Sequence, residues 1–323
     1  MSKQCENQLF WEGHMKYRKL GKTGLDVPVL SYGASSLGSV FRNIDEEEGI
    51  KTVHTAVEYG MNLIDVSPYY GLTKAETVLG KALKDIPREK FILSTKTGRY
   101  GEHEFDFSKN KVVTSVEESL NRLQTDYVDI LLLHDIEFAS FEQIVEESIP
   151  ALKQLKKEGK IRFFGVSGLP LSIFEKVLNE TDLDVILSYC HYSLNDNSLL
   201  DIVPLLEKNQ VGLMNASPLS MGLLSNRSVP EWHPASQEIK DVCSKAAYFC
   251  KQHGEDISKL AIQYSVANEK VPTTLVSTAS VENVKKNIEW ANHPIDLEFL
   301  KEVLAILVPI HNKTWSSGRS EDW

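Results

Sequence analysis

The sequence predicts one α/β domain, a (β/α)8 TIM barrel with an N-terminal β-hairpin cap, on three observations. Eight short, β-rich apolar runs recur along the chain. Each is followed by a segment with apolar residues at helical spacing. No shift of composition or linker divides the series. The runs begin at Pro28, Asn62, Phe91, Val128, Arg162, Asp184, Val211 and Thr273. Their near-continuous hydrophobicity is what strands covered on both faces require, unlike the alternation of a half-exposed sheet. A doubly wound open sheet would alternate in the same way, but eight evenly spaced units fit closure better.

The intervening segments, among them residues 45–60, 141–160 and 237–254, mostly open on acids or capping residues and often close on Lys or Gly, as helix termini favour. Ahead of the first barrel strand, residues 17–33 (YRKLGKTGLDVPVLSYG) hold two short strand-like runs about a Gly-containing turn, which reads as a hairpin closing the bottom of the barrel. Residues 1–14 read as a flexible leader, leaving 15–323 as the single domain.

At 323 residues, 42% hydrophobic and 25% charged, the chain can bury a large core, so disordered and low-complexity classes drop out. A formal charge of -10 offers no general attraction to phosphate backbones or anionic lipid, so neither nucleic acid nor a membrane is an expected partner. Cys5, Cys190, Cys243 and Cys250 lack paired metal-site spacing, and no metal is expected. Residues 1–14 hold no apolar run of signal-peptide length, and no segment of the chain approaches membrane-span length. A cytoplasmic protein with reduced thiols is the expectation, monomeric or weakly dimeric.

Active sites of such barrels form at the C-terminal strand ends, so polar residues there are the ones to question. Asp65 ends the second run, Tyr70 follows five residues later, Lys96 ends the third and His134 the fourth. Each has an ordinary structural explanation: a helix cap, a rim aromatic, a solvated charge, a satisfied histidine. One shared site explains all four at once. An ammonium beside a phenol would bring its pKa down from about 10 toward the working range, an acid would hold the ammonium, and an imidazole would orient a substrate oxygen. That set suits hydride transfer to or from a carbonyl carbon, which needs a nicotinamide or flavin. No Gly-x-Gly-x-x-Gly follows a strand, so the loops at residues 165–168, 215–224 and 277–287 are the candidates to hold a dinucleotide, the last running into a helix N-terminus.

The motifs DVSPYYG, STK, LLLHD, GVSG, SPLSMGLL and the strand-eight loop, in that order from Tyr17 to about Asn287, resemble the aldo-keto reductases. The resemblance implies the barrel, Tyr70 as general acid/base, and Asp65, Lys96 and His134 completing a tetrad. It places the cofactor against Ser167, Gly168, Tyr189, Ser217, Leu219, Ser277, Thr278, Ser280, Asn283 and Asn287. Further phrases, YGASSLGSVF, GLPLSIF, LSYCHYSLND, PEWHPAS and TWSSG, are similar to the plant branch that oxidises an aldose such as L-galactose at C1 to the lactone with NAD. His191, Tyr192, His233 and Trp232 are then candidate sugar contacts; Trp232 could equally be a loop anchor, and Cys190 reads as a buried small hydrophobe.

The chain departs from the family's pattern in three places. Gly168 stands where many members carry Asn, Tyr189 replaces the usual Gln, and Ala216 replaces an aromatic, leaving Tyr189 or Tyr192 to stack on a nicotinamide. Residues 277–283 contain no cation, and Glu282 would repel a 2′-phosphate, so NAD is expected over NADP unless Lys285 or Lys286 reaches in. Two alternatives remain: an NADPH-dependent aldehyde or ketone reductase using the same four residues, and a cofactor-binding regulatory subunit without significant turnover.

Overall fold

A computed structural model describes residues 15–40 and 43–319; the expected leader, with Cys5, lies outside them. Eight parallel strands close a barrel: β3 (Leu30–Gly33), β4 (Leu63–Asp65), β5 (Ile92–Thr97), β6 (Val128–Leu133), β7 (Ile161–Gly168), β8 (Val185–Tyr189), β9 (Gly212–Ala216) and β10 (Thr273–Ser277), with β10 pairing back onto β3. All eight expected runs are strands. Helices lie outside, including Glu46–Glu58, Lys74–Leu83, Lys109–Leu123, Ile257–Ala267 and Val281–Asn292. Among the described residues no helix is long and apolar enough to cross a membrane.

The expected hairpin is present: β1 (Tyr17–Lys19) pairs antiparallel with β2 (Asp26–Pro28). Its turn delivers Leu20, Leu25 and Val27 into the same buried cluster as Leu63, Ile130, Leu132, Val185, Leu187, Met214 and Leu275, which are the inward residues of the barrel floor. The plug sits close. Gly21 adopts φ +50°, and a Cβ there would meet the Gly212 nitrogen at 2.3 Å. Lys22 N–H donates to the Gln210 carbonyl at 2.8 Å, while the Arg18 guanidinium donates to the carbonyls of Val266, Asn268 and Val271 at 2.8–2.9 Å.

Residues 141–160, expected as one helix, fold as a short α-helical stretch (Phe141–Gln143), a π-helical segment (Ile144–Ser148) and an α-helix (Ile149–Lys157). Pro150 has no N–H to give to the preceding turn, and the wider turn accommodates the loss. The segment near Pro204 divides likewise into a 3-10 turn (Ser198–Ile202) and a short helix (Val203–Lys208).

The floor is a packing device remote from the strand ends. Leu20→Ala, which empties a fully buried site, should cost about 2–5 kcal/mol in chemical denaturation while leaving the barrel's far end intact.

Candidate active site

Side chains alternate along a strand, so inward residues recur every second position. On β4 that sequence is Leu63 then Asp65; on β5 it is Ser94 then Lys96; on β6 it is Ile130, Leu132 and then His134, one residue beyond the strand. The apolar floor thus gives way to polar groups at one level. Asp65 is in register with Ser94, whose hydroxyl donates to Asp65 Oδ2 at 2.8 Å. On the opposite face of β5, Thr95 donates to Glu76 and Thr97 meets Ser115, both in the helical layer.

The Lys96 ammonium is fully enclosed and has three acceptors: Asp65 Oδ1 in a short ion pair, the Val66 carbonyl at 3.0 Å and the Tyr70 hydroxyl at 3.3 Å. All of its protons are used. Tyr70 is placed by backbone packing as well. Gly38 in the loop after β3 faces residues 70–71 so closely that a Cβ on it would lie 2.5 Å from the Tyr70 carbonyl oxygen, and one on Gly71 (φ +63°) would lie 2.0 Å from that of Gly38. Two glycines are needed for that approach.

His134 Nδ1 lies 2.9 Å from Ser67 Oγ, which also accepts from the Tyr69 N–H at 3.1 Å. Its ring meets Tyr70 edge-on, centroids 5.6 Å apart at 82°. Burial, then the Lys96 and Arg99 charges, hold its pKa well below the ordinary value, so the imidazole is neutral. With an Asp135 oxygen 3.7 Å from Nε2, we assign the proton to Nε2 and let the Ser67 hydroxyl donate to Nδ1.

One electrostatic expectation needs correction. Lys96 was expected to bring the Tyr70 phenol down, yet its pKa lies above the ordinary value, because burial outweighs the Lys96 charge. Burial also works against the Lys96 ammonium, but Asp65 and Tyr70 more than offset it and the lysine stays charged. The resting pair is a phenol beside an ammonium.

The structure brings the four tetrad residues together; the other candidates divide. Tyr189 ends β8 near the carboxylates of Asp135 and Glu137, and burial followed by those charges raises its pKa well above the usual phenol value. Ser167 Oγ donates to the Leu133 carbonyl and accepts from the Asp135 N–H. Ser217 has φ 58° in a loop where Ser220, Met221 and Gly222 are also left-handed, around Leu219. Such a cluster of unusual backbone marks functional loops.

Ser277 Oγ accepts from the Ser36 N–H at 2.9 Å and from Ser35 Oγ at 2.9 Å, which ties it to the loop after β3. The Thr278 carbonyl accepts from buried Tyr32, Ser280 caps the helix Val281–Asn292 through the Asn283 N–H, Asn283 also reaches Thr278 Oγ1, and Asn287 is buried on that helix. Glu48 Oε1 accepts from the Val281 N–H at 3.2 Å. Lys286 is paired with Glu282 at 2.7 Å, and Lys285 lies 5.8 Å from the Tyr59 ring.

Among the described residues, none of the four substrate candidates makes a hydrogen bond or ring contact with the tetrad. Tyr192 stacks on Tyr264 at 5.4 Å and hydrogen-bonds Asn268, near Arg18 and the hairpin, so it belongs to the helical layer. His191 is tied into its own loop by Asp196 and Ser198. Trp232 is 53% exposed and stacks on His233, which in turn meets Trp315 edge-on and Ser220's carbonyl. Cys190 is buried, its thiol pushed up to about 12 by that burial.

Sequence reasoning missed Arg99, Asp135 and Glu137. Arg99 Nη1 donates to Asp135 Oδ2 at 2.5 Å. Glu137 is fully buried; its Oε1 accepts from the Leu169 N–H and Ser317 Oγ, its Oε2 has no hydrogen-bond partner among the described residues, and the Arg319 N–H donates to its carbonyl. A Cβ on Gly168 would lie 2.5 Å from Oε2. The sequence carries part of the signal: Asp135 stands directly after, and Glu137 three positions after, an expected strand-end histidine.

Burial and neighbouring Asp135 push the Glu137 carboxyl up to about 8. Unfolded, it ionises near 4.3. Between those values the folded chain holds more protons than the unfolded one, so this group's contribution to stability falls as pH rises through the window and levels off above it. Glu137→Gln should therefore melt at a higher temperature than the parent at pH 9 and show a flatter stability profile between pH 5 and 9.

The Aldo/keto reductase family profile matches residues 29–307. The chain is 51% identical over 313 residues to an L-galactose dehydrogenase of Arabidopsis thaliana, covering 94% of this chain and 98% of that one. It is 34% identical to a D-arabinose 1-dehydrogenase of Saccharomyces cerevisiae, covering 85% and 89%. Among solved structures, an aldo-keto reductase from Bacillus halodurans in its holo form superposes with a TM-score of 0.78 at 28% identity, covering 95% of this chain and all of that one. A barrel closed over a buried Lys–Asp pair, a profile match across most of its length and these relatives lead to one conclusion: the chain belongs to the aldo/keto reductase family.

Proposed function

We propose that the protein is an NAD-dependent aldose 1-dehydrogenase that oxidises an L-galactose-like sugar at C1 to the lactone. The observation that carries this reading is the contact of Lys96 Nζ with both Asp65 and the Tyr70 hydroxyl, beside a neutral His134. The similar proteins named L-galactose dehydrogenase and D-arabinose 1-dehydrogenase support the substrate class.

Tyr70 accepts a hydrogen bond from Lys96, so its own proton is directed away from the lysine, toward a substrate oxygen. His134 Nε2–H donates to that same oxygen and resists its drift. In the oxidative direction the ionised phenol takes the C1 hydroxyl proton, and Lys96 stabilises the phenolate while Asp65 keeps the lysine charged. In reduction the neutral phenol gives the proton back. A nicotinamide dinucleotide, when bound, supplies the hydride acceptor at C1.

The residues fit such a group. The left-handed run at Ser217, Ser220, Met221 and Gly222 tops β9, and the capped helix start at Ser280 follows neighbouring β10. Tyr189 is the aromatic at the mouth that would face a nicotinamide. The carboxylates of Glu48 and Glu282 stand at the first turn of that helix, and Lys286 is taken up by Glu282. A 2′-phosphate would meet two acids there, which favours NAD over NADP and weighs against the NADPH-dependent carbonyl reductase reading.

Tyr70→Phe should lower turnover about 100- to 10,000-fold with NADH affinity nearly unchanged; near-normal activity would remove Tyr70 from the role. Fluorescence titration should show NADH binding at least about ten times tighter than NADPH, a gap of about 1.4 kcal/mol. Equal or tighter NADPH binding would reverse the cofactor assignment.

A further inference from the structure

The carboxylate next to the proposed catalytic histidine has no part in the tetrad, yet it is held in a costly arrangement. Asp135 has φ 55° and ψ 59°, a left-handed conformation that few residues other than glycine adopt, although Asp and Asn tolerate it best. Its side chain is only 5% exposed. Oδ2 takes Arg99 Nη1 at 2.5 Å and stands 3.7 Å from His134 Nε2, whereas Oδ1 has no hydrogen-bond partner among the described residues.

Arg99 is itself immobilised. Its guanidinium carbon lies 3.9 Å from the Tyr69 ring centroid and 5.3 Å and 5.6 Å from those of Phe105 and Phe138, which stack on each other at 4.4 Å. A cation packed among three aromatic rings has little freedom, and the carboxylate it holds inherits that rigidity. Backbone strain, a buried acceptor with an unused oxygen and a fixed counterion together mark an oriented binding group more than a stability element.

Any substrate oxygen shared by Tyr70 and His134 Nε2 lies beside this carboxylate. In a pyranose, the nearest other hydroxyl is the one on the carbon adjacent to C1. We propose that Asp135, positioned by Arg99, accepts a hydrogen bond from that 2-hydroxyl and makes the site selective for 2-hydroxy aldoses over 2-deoxy sugars and simple aldehydes. This rests on the aldose reading above. A site built to pair a hydroxyl rejects the analogue lacking it far more strongly than an apolar pocket rejects a missing methylene, because its own polar group is left unpaired.

The test compares kcat/KM for L-galactose and its 2-deoxy analogue with NAD in the parent, Asp135→Asn and Asp135→Gly. Asn retains the left-handed backbone and Gly adopts it freely, so both variants should fold, which melting and NADH titration check. The parent should prefer the 2-hydroxy sugar by about 100-fold or more. In Asp135→Gly that preference should shrink to about tenfold or less, through loss on L-galactose with the 2-deoxy rate little changed, and Asp135→Asn should fall between. An unchanged preference, or an equal loss on both sugars in a folded variant, would overturn the role of Asp135 alone. Absence of aldose turnover by the parent would overturn the aldose reading and this inference together.

Discussion

The interaction on which the site depends is the ion pair between Lys96 and Asp65 inside the barrel. Both side chains are at most 5% exposed, and either charge alone would carry an uncompensated desolvation cost of several kcal/mol. The pair is tolerated because its remaining valences are met: Ser94 donates to the second carboxylate oxygen, and the ammonium has the Val66 carbonyl and the Tyr70 hydroxyl. Tyr70 is thus part of the solvation of a buried charge. Moving it away would strand an N–H of Lys96, so the electrostatics that make the phenol useful also hold it in place.

That pair sits where it does because of the barrel's layering. The inward face of each strand is apolar at the bottom, where Leu20, Leu25 and Val27 of the hairpin complete the packing, and polar at the top. Closure forces the upper residues of β4, β5 and β6 to converge, and the strand period of two puts Asp65, Lys96 and His134 on that face together. The floor excludes water from below, which strengthens every charge interaction above it. Burial then acts unevenly: it keeps His134 neutral and Tyr70 protonated, whereas Lys96, with a carboxylate against it, remains an ammonium.

Much of this was legible in the sequence for a simple reason. Strands covered on both faces leave continuous apolar runs, and a polar residue ending such a run is conspicuous, so the barrel, its hairpin plug and the convergence of the four residues could be read directly. What sequence could not supply was direction. Tyr192 is two positions past Cys190 and looks like a mouth residue, but the turn there sends its ring to Tyr264. Ser277 ends β10 as a cofactor ligand would, yet its hydroxyl is spent on Ser35 and Ser36, some 240 positions earlier in the chain. The sign of the Tyr70 shift is not legible in the sequence, where a charged neighbour is visible and the depth of burial is not. The Arg99–Asp135 pair joins two loops and gains its meaning only beside His134, which a linear reading does not show.

The charges around the mouth constrain what it can accept. The two cations brought there, Lys96 and Arg99, are each bound to a carboxylate, Asp65 and Asp135. Glu137 adds a third acid held largely neutral by burial near pH 7, and Glu48 and Glu282 stand at the helix start beyond β10. An anionic substrate such as a sugar phosphate would therefore find no unpaired cation in this group and would face carboxylates on entry. On the proposed reading, a neutral polyhydroxylated ring would meet acceptors instead, with His134 and Tyr70 as the donors to the one oxygen that reacts. On the same reading, the acids that would disfavour a 2′-phosphate would also favour an uncharged sugar, because acids outnumber free cations among these groups.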